Sequence, residues 1–151
     1  MTRMIRAALA LGIAALPVAA HGELGGRYAT VLTDGEQMHA RVRSLPAANY
    51  TLHTLELANG GEVRQYAAAD GTVFAVAWNG PGRPDLRQLL GPHFETVQTD
   101  NVPVQGRFRR HPLAVQRADF VMRTGGHSGA FFGVAYLPRT FPAGVSDKDI
   151  R

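Results

Sequence analysis

His127 and Ser128 lie between glycines in the run Gly125-Gly126-His127-Ser128-Gly129. An imidazole in such a turn could ligate a metal or move a proton near neutral pH, and the glycines would let a ligand approach the backbone. Partners limit that chemistry. No acid or second histidine stands at ligand spacing, and Ser128 lacks the Gly-x-Ser-x-Gly surroundings of a nucleophilic serine. The six histidines are His21, His39, His53, His93, His111 and His127, and no two are three or four residues apart. A zinc or copper site would have to be assembled from distant segments. Asp85, directly after Pro84, can serve as a helix cap or as an acid or base, and Arg87 can pair with it or reach a ligand. Arg107, Arg109 and Arg110, with Phe108, His111 and Arg117, form the one basic cluster. Cations beside an aromatic ring suit an anionic ligand or an acidic protein partner.

The first 20 residues read as an address. Arg3 and Arg6 form a basic head, Ala7 to Leu16 is an apolar run, Pro17 breaks it, and Val18-Ala19-Ala20 offers small residues to a signal peptidase. The run is far short of the roughly 20 residues that cross a bilayer, so residues 1–20 are expected to be a cleaved signal peptide. No transmembrane segment is expected in the mature chain, whose location would be periplasmic or secreted. A mature chain beginning at His21 would also carry a free amine beside an imidazole, a pair that can chelate copper if a second histidine joins it.

Composition narrows the rest. There are no cysteines, so disulfides, thiol catalysis and cysteine-type zinc are excluded. Of 16 basic residues two lie in the leader, which leaves 14 against 12 acidic ones. A balance that close to neutral gives no argument for nucleic acid, which is not expected as a partner. No cofactor is expected.

Residues 21–145 are expected to form one α+β domain, with 146–151 a flexible, charged tail. Asp34 and Gln37 resemble a capping box, and Met38, Val42 and Leu45 follow at helical spacing. Met38, Ala40 and Val42 also alternate as in a strand, but the helix is preferred. Tyr50 to Leu57, Glu62 to Ala68 and Thr72 to Trp78 are strand candidates separated by Asn59-Gly60-Gly61 and Asp70-Gly71, which predicts a meander. A helix follows from Leu86, capped by Asp85 and ended by Gly91-Pro92, with another turn over His93 to Gln98. Ala118 to Arg123 and Ala130 to Tyr136 give two more strands, with residues 124–129 as their loop. The expected fold is therefore an antiparallel sheet of about five strands, with one or two helices packed on one face.

Phe74-Ala75-Val76-Ala77-Trp78 recurs as Phe132-Gly133-Val134-Ala135-Tyr136, with bulky residues alternating with small ones. Simple alternation puts Phe74, Val76 and Trp78 on one face, and Trp78 and Tyr136 are expected to be buried.

The run Gly71 to Pro81, followed by Pro84-Asp85-Leu86-Arg87-Gln88-Leu89-Leu90-Gly91, resembles the central signature of an exported proteobacterial family, domain of unknown function 2844. Gly125-Gly126-His127, Ala130 to Gly133, Ala135-Tyr136 and Pro142 to Val145 resemble its C-terminal signature, and the Leu24-Gly25-Gly26 lead-in fits it too. The resemblance implies one exported domain and carries over no catalytic residue. The signature residues are mostly apolar, aromatic, glycine or proline, which build scaffolds. The expectation is a non-enzymatic binding or accessory protein of the bacterial envelope, meeting another envelope protein or an anionic ligand. The alternative is a small periplasmic enzyme or metal-binding protein centred on the His127 loop.

Overall fold

Glycine makes the tight turns between the strand-forming runs possible, and the computed structural model, which describes residues 23–101 and 112–151, folds those runs into a single antiparallel sheet. Its strands are β1 (Arg41–Pro46), β2 (Tyr50–Glu56), β3 (Glu62–Ala68), β4 (Val73–Gly80), β5 (Ala114–Gln116), β6 (Val121–His127) and β7 (Ala130–Tyr136). Their order is β1-β2-β3-β4-β7-β6-β5. Three α-helices are described, α1 (Val31–Gln37), α2 (Leu86–Leu90) and α3 (His93–Asp100). The antiparallel α+β expectation holds, but the sheet has seven strands where about five were expected.

The two added strands have different origins. β1 occupies the stretch expected to be helical. The helix there starts earlier, at Val31, so Asp34 lies inside it rather than at its cap. His39 turns the chain with a left-handed φ of 50° and Ala40 N–H donates to Gly35 O at 2.8 Å, which stops the helix. The alternating pattern then wins, because pairing with β2 from Arg41↔Glu56 to Pro46↔Thr51 satisfies the backbone. β5 is a three-residue edge beyond Pro112. β6 starts at Val121 instead of Ala118 and runs through His127, so only Ser128 and Gly129 remain as the turn to β7.

The sheet buries both faces. Leu89 and Leu90 of α2, Val97 of α3 and Val31 of α1 pack with Leu55, Val63, Val76, Trp78 and Met122 on one side. On the other, Tyr66, Phe74, Val121 and Tyr136 are covered by Phe141, Val145 and Ile150 of the C-terminal segment. Simple alternation fails at Phe74. A bulge sets Tyr66 opposite Ala75 but Ala67 opposite Val73, which turns the Phe74 ring away from Val76 and Trp78. The expected tail is likewise docked. Ile150 is buried, the Tyr66 hydroxyl donates to Arg151 O at 3.0 Å, and Ser146 and Asp149 form a capping box.

The two similar strand motifs meet at the sheet centre as β4 and β7, where a bulky residue of each opposes a small one of the other. The pairs are Trp78↔Gly133, Val76↔Ala135, Ala77↔Val134 and Ala75↔Tyr136. Val76 and Val134, equivalent in the motif, therefore serve opposite faces. Gly133 has to be glycine, since a Cβ there would overlap the Trp78 ring. Trp78 is 2% exposed, so Trp78→Ala should destabilise the fold by about 3–5 kcal/mol, read by denaturant unfolding. A loss below about 1 kcal/mol would show that the indole is not a core element.

Candidate functional site

Each sequence-derived candidate has a definite place. His127 ends β6, paired with Ala130, and its exposed ring bonds through Nδ1 to Ser128 O at 3.0 Å. Gly129, at φ 89°, takes the left-handed turn position. The imidazole is thus a hairpin-tip residue and not part of a glycine-rich loop. Asp85 caps α2, accepting from Arg87 N at 2.9 Å and Gln88 N at 3.2 Å. The Arg87 guanidinium lies 4.8 Å from the Phe94 ring centre instead of on the Asp85 carboxylate. Asp85 and Arg87 do share a shallow cleft of about 410 Å³ with Glu23, Gln37 and Gln88. The hairpin tip lies at the same end of the sheet, because Phe131 pairs with Gly80 and lies under Arg83. Arg107, Arg109 and Arg110 fall outside the described residues, as do His21, His111 and the leader. Arg117 is described, and forms a bidentate ion pair with Asp100 at 2.6 and 2.9 Å. That pair holds the Asp100 carboxyl below its ordinary range. Among the described residues no group of three or more His, Asp or Glu side chains could hold a metal ion.

Two features escape a linear reading. The first is one row of side chains crossing the whole sheet, Ser44-His53-Gln65-Val76-Ala135-Met122-Val115. Its first three members are polar and its last four are apolar. His53 is 5% exposed, bonds through Nδ1 to Ser44 Oγ at 2.7 Å, and stacks under Tyr28 at 5.6 Å between ring centres. Its Nε2 is buried without a partner. Burial lowers the His53 pKa, so the ring is held neutral. A neutral imidazole bonded to a serine hydroxyl is half of a nucleophilic pair, but the row supplies no carboxylate to orient the ring. The alternation Thr51-His53-Leu55 signalled that His53 faces inward.

The second feature is a groove of about 510 Å³ on the face opposite the helices. β6 and β7 supply Val121 and Tyr136 as its floor, and the C-terminal segment adds Phe141 and Val145. Gln116, Arg117, Ser146 and Asp147 supply a polar rim. Burial raises the Tyr136 phenol above its ordinary value; Arg123 opposes this and Asp147 adds to it. The hydroxyl therefore remains a protonated donor. Tyr136 and Phe141 meet edge to face at 5.4 Å, which fixes one wall.

A family model, described as a protein of unknown function (DUF2844), matches residues 20–150. The chain belongs to this family. It matches no curated protein and no solved structure. The stretch that carries the central signature is the β4 strand with the α2 cap. The C-terminal signature contributes Tyr136 and Val145 to the groove.

Two predictions test these assignments. Asp85→Ala should cost about 1 kcal/mol, as loss of a cap, while His127→Ala should stay within about 0.5 kcal/mol. Thermal and denaturant melts check both. His93, stacked on Phe120 at 4.9 Å, is also lowered by burial, against the pull of Asp119 and Glu23. Two histidines thus have folded pKa values below the ordinary 6.5. Stability should be complete above that value and fall as pH drops through the lowered folded values, because the unfolded chain takes up the protons first. Urea midpoints measured at about pH 7.5 and about pH 5.5 should show the decline, and His53→Gln should reduce it.

Proposed function

We propose that the protein is an exported, soluble binding or accessory protein of a bacterial envelope. The basic, apolar and small-residue pattern of residues 1–20 supports export. The observation that carries the binding reading is the groove over Val121, Tyr136 and Phe141. Its volume and its apolar floor beneath a polar rim support an open docking groove for a ligand or peptide. The floor is built from strand residues on one side and a docked segment on the other, so its shape is set by the fold. The polar rim offers the Asp147 carboxylate and the Arg117 guanidinium, already paired to Asp100, as orienting groups.

Two measurements test this reading. Mass spectrometry of protein recovered from the periplasmic fraction should give an N-terminus close to His21, and an intact Met1 would remove the export claim. Ala118 is exposed at the groove rim, so Ala118→Trp fills the groove without touching the core. Capture of a defined envelope component by the wild-type protein, and its loss in Ala118→Trp, is the expected result. Turnover of a substrate by the purified protein would replace the binding reading with an enzymatic one.

A further inference from the structure

The two edges of the sheet are treated differently by the chain. At the β5 edge the strand is three residues long, and the Asn101 side chain takes up both backbone groups of Ala114. Asn101 accepts from Ala114 N at 3.2 Å and donates to Ala114 O at 3.3 Å. That edge is short and plugged, as soluble sheets require. The β1 edge is twice as long, and five of its six residues are exposed. Among the described residues no strand pairs with its outer side. Leu45 is 66% exposed there.

We propose that the outer edge of β1 is a docking site for an extended acidic polypeptide segment, which adds to the sheet as an eighth strand. This deepens the binding-protein reading above and rests on it. Strand addition draws affinity from main-chain hydrogen bonds and specificity from alternate side chains. The alternate side chains on one face of β1 are Arg41, Arg43 and Leu45. Arg43 is held by Glu56 at 3.0 Å while its side chain stays 73% exposed. Its exposed guanidinium has donors left for a second carboxylate. Val42 and Ser44 turn to the helix-covered face, where Val42 packs with the core and Ser44 bonds His53. The fitting partner runs antiparallel to β1, so along its own chain it carries an apolar residue opposite Leu45 and then acidic residues at the next two alternate positions, opposite Arg43 and Arg41. Pro46 has no N–H to offer and bounds the register at that end.

Charge selects against a second copy of this chain. Two copies joined edge to edge as one continuous antiparallel sheet must pair residues of the same face. Centring that pairing on Arg43 sets Arg43 against Arg43, and centring it on Val42 sets Arg41 against Arg43 in both copies. Like charges directly opposite each other are destabilising. Registers centred on Ser44 or Leu45 escape, but the first pairs Val42 with Pro46 and the second pairs Ser44 with Pro46, which has no N–H to give.

The test is a titration of the full mature protein, followed by amide NMR, with a synthetic peptide bearing the apolar-x-acidic-x-acidic pattern. Shifts confined to Arg41–Leu45 and their β2 partners are expected. Arg41→Glu with Arg43→Glu should weaken the peptide by about tenfold or more, and a peptide with lysine at the acidic positions should bind no better than that variant. Arg41→Glu faces Glu56 across the strands and Arg43→Glu loses its bond to it. Arg41→Gln with Arg43→Gln, which adds no like charge, should therefore show the same loss while amide shifts elsewhere stay unchanged, and undiminished binding by that variant would overturn the proposal. Equal binding of the lysine peptide, shifts centred on Val121 and Tyr136, or no shift at about 1 mM peptide would each overturn the proposal. So would Arg-dependent binding of anionic lipid vesicles without peptide binding, or a concentration-dependent dimer abolished by Leu45→Pro. If the peptide fails while Ala118→Trp still abolishes partner capture, the binding-protein reading stands and only the edge assignment falls.

Discussion

The pairing of β4 with β7 is the joint on which the molecule depends. It alone connects the β1–β4 meander to the β5–β7 unit within the sheet, and it links residues more than fifty positions apart in sequence. Its cohesion comes from opposed sizes. Trp78 lies over Gly133, Val76 beside Ala135, and Tyr136 beside Ala75. Because bulk alternates out of phase on the two strands, each face receives large side chains from one strand and small ones from the other. One face thereby seats the Trp78 ring under the helices, and the other seats Tyr136 under the C-terminal segment. A methyl group on Gly133 would meet the indole, so the constraint is steric before it is energetic. The two strands resemble each other in composition because both solve this problem, and the equivalent pairs Val76 and Val134, and Trp78 and Tyr136, serve opposite faces.

What could be read from the sequence follows from where glycine punctuates it. Glu62–Ala68 and Ala130–Tyr136 match expectation residue for residue, since turn residues bound each of them. The helix start at Asp85 was legible for a similar reason: proline before it and a leucine pattern after it mark where a helix begins. β1 was not legible, because Met38, Val42 and Leu45 satisfy a helical period while Met38, Ala40 and Val42 satisfy a strand period. Only the long-range pairing with β2 decides between them. Reading β1 as helix also hid Ser44 from His53, nine residues away and directly opposite across the strands. The Phe74 bulge is a single fault in alternation and has no compositional mark. The groove was invisible for another reason. Four of its lining residues follow Pro138, and two of these, Ser146 and Asp147, belong to the charged tail 146–151 that was expected to fray but is held by Ile150 and by the Tyr66 to Arg151 bonds.

The cross-sheet row from Ser44 to Val115 shows how the polar and apolar parts of the interior divide. Its apolar members lie on the central and C-terminal strands beneath the α2–α3 layer. Its polar members lie on β1 to β3, where Tyr28 is the cover for His53. A buried neutral imidazole with one ring nitrogen unpartnered costs more than an aliphatic residue of the same volume. The hydrogen bond to Ser44 and the Tyr28 ring offset part of that cost. They also fix β1 in register, because a one-residue slip would move Ser44 to the opposite face. The polar end of the row thus specifies the strand that leaves the longest open edge.

Docking of the C-terminal segment and occupation of the groove share the same residues. Phe141 and Val145 pack against Tyr136 and Phe74, while the same two residues line the groove beside Asp147. A ligand resting on that surface meets a floor that exists only while the segment is docked. Ligand binding and segment docking are therefore linked, and a ligand that binds the docked form alone stabilises it in proportion to the logarithm of its concentration over its dissociation constant. The β1 edge has no such linkage, since its strand is held by β2 whether or not the segment is docked. On the two proposals made above, occupancy of the groove would tighten the molecule and occupancy of the β1 edge would extend the sheet. Each can be altered without disturbing the β4–β7 joint between them.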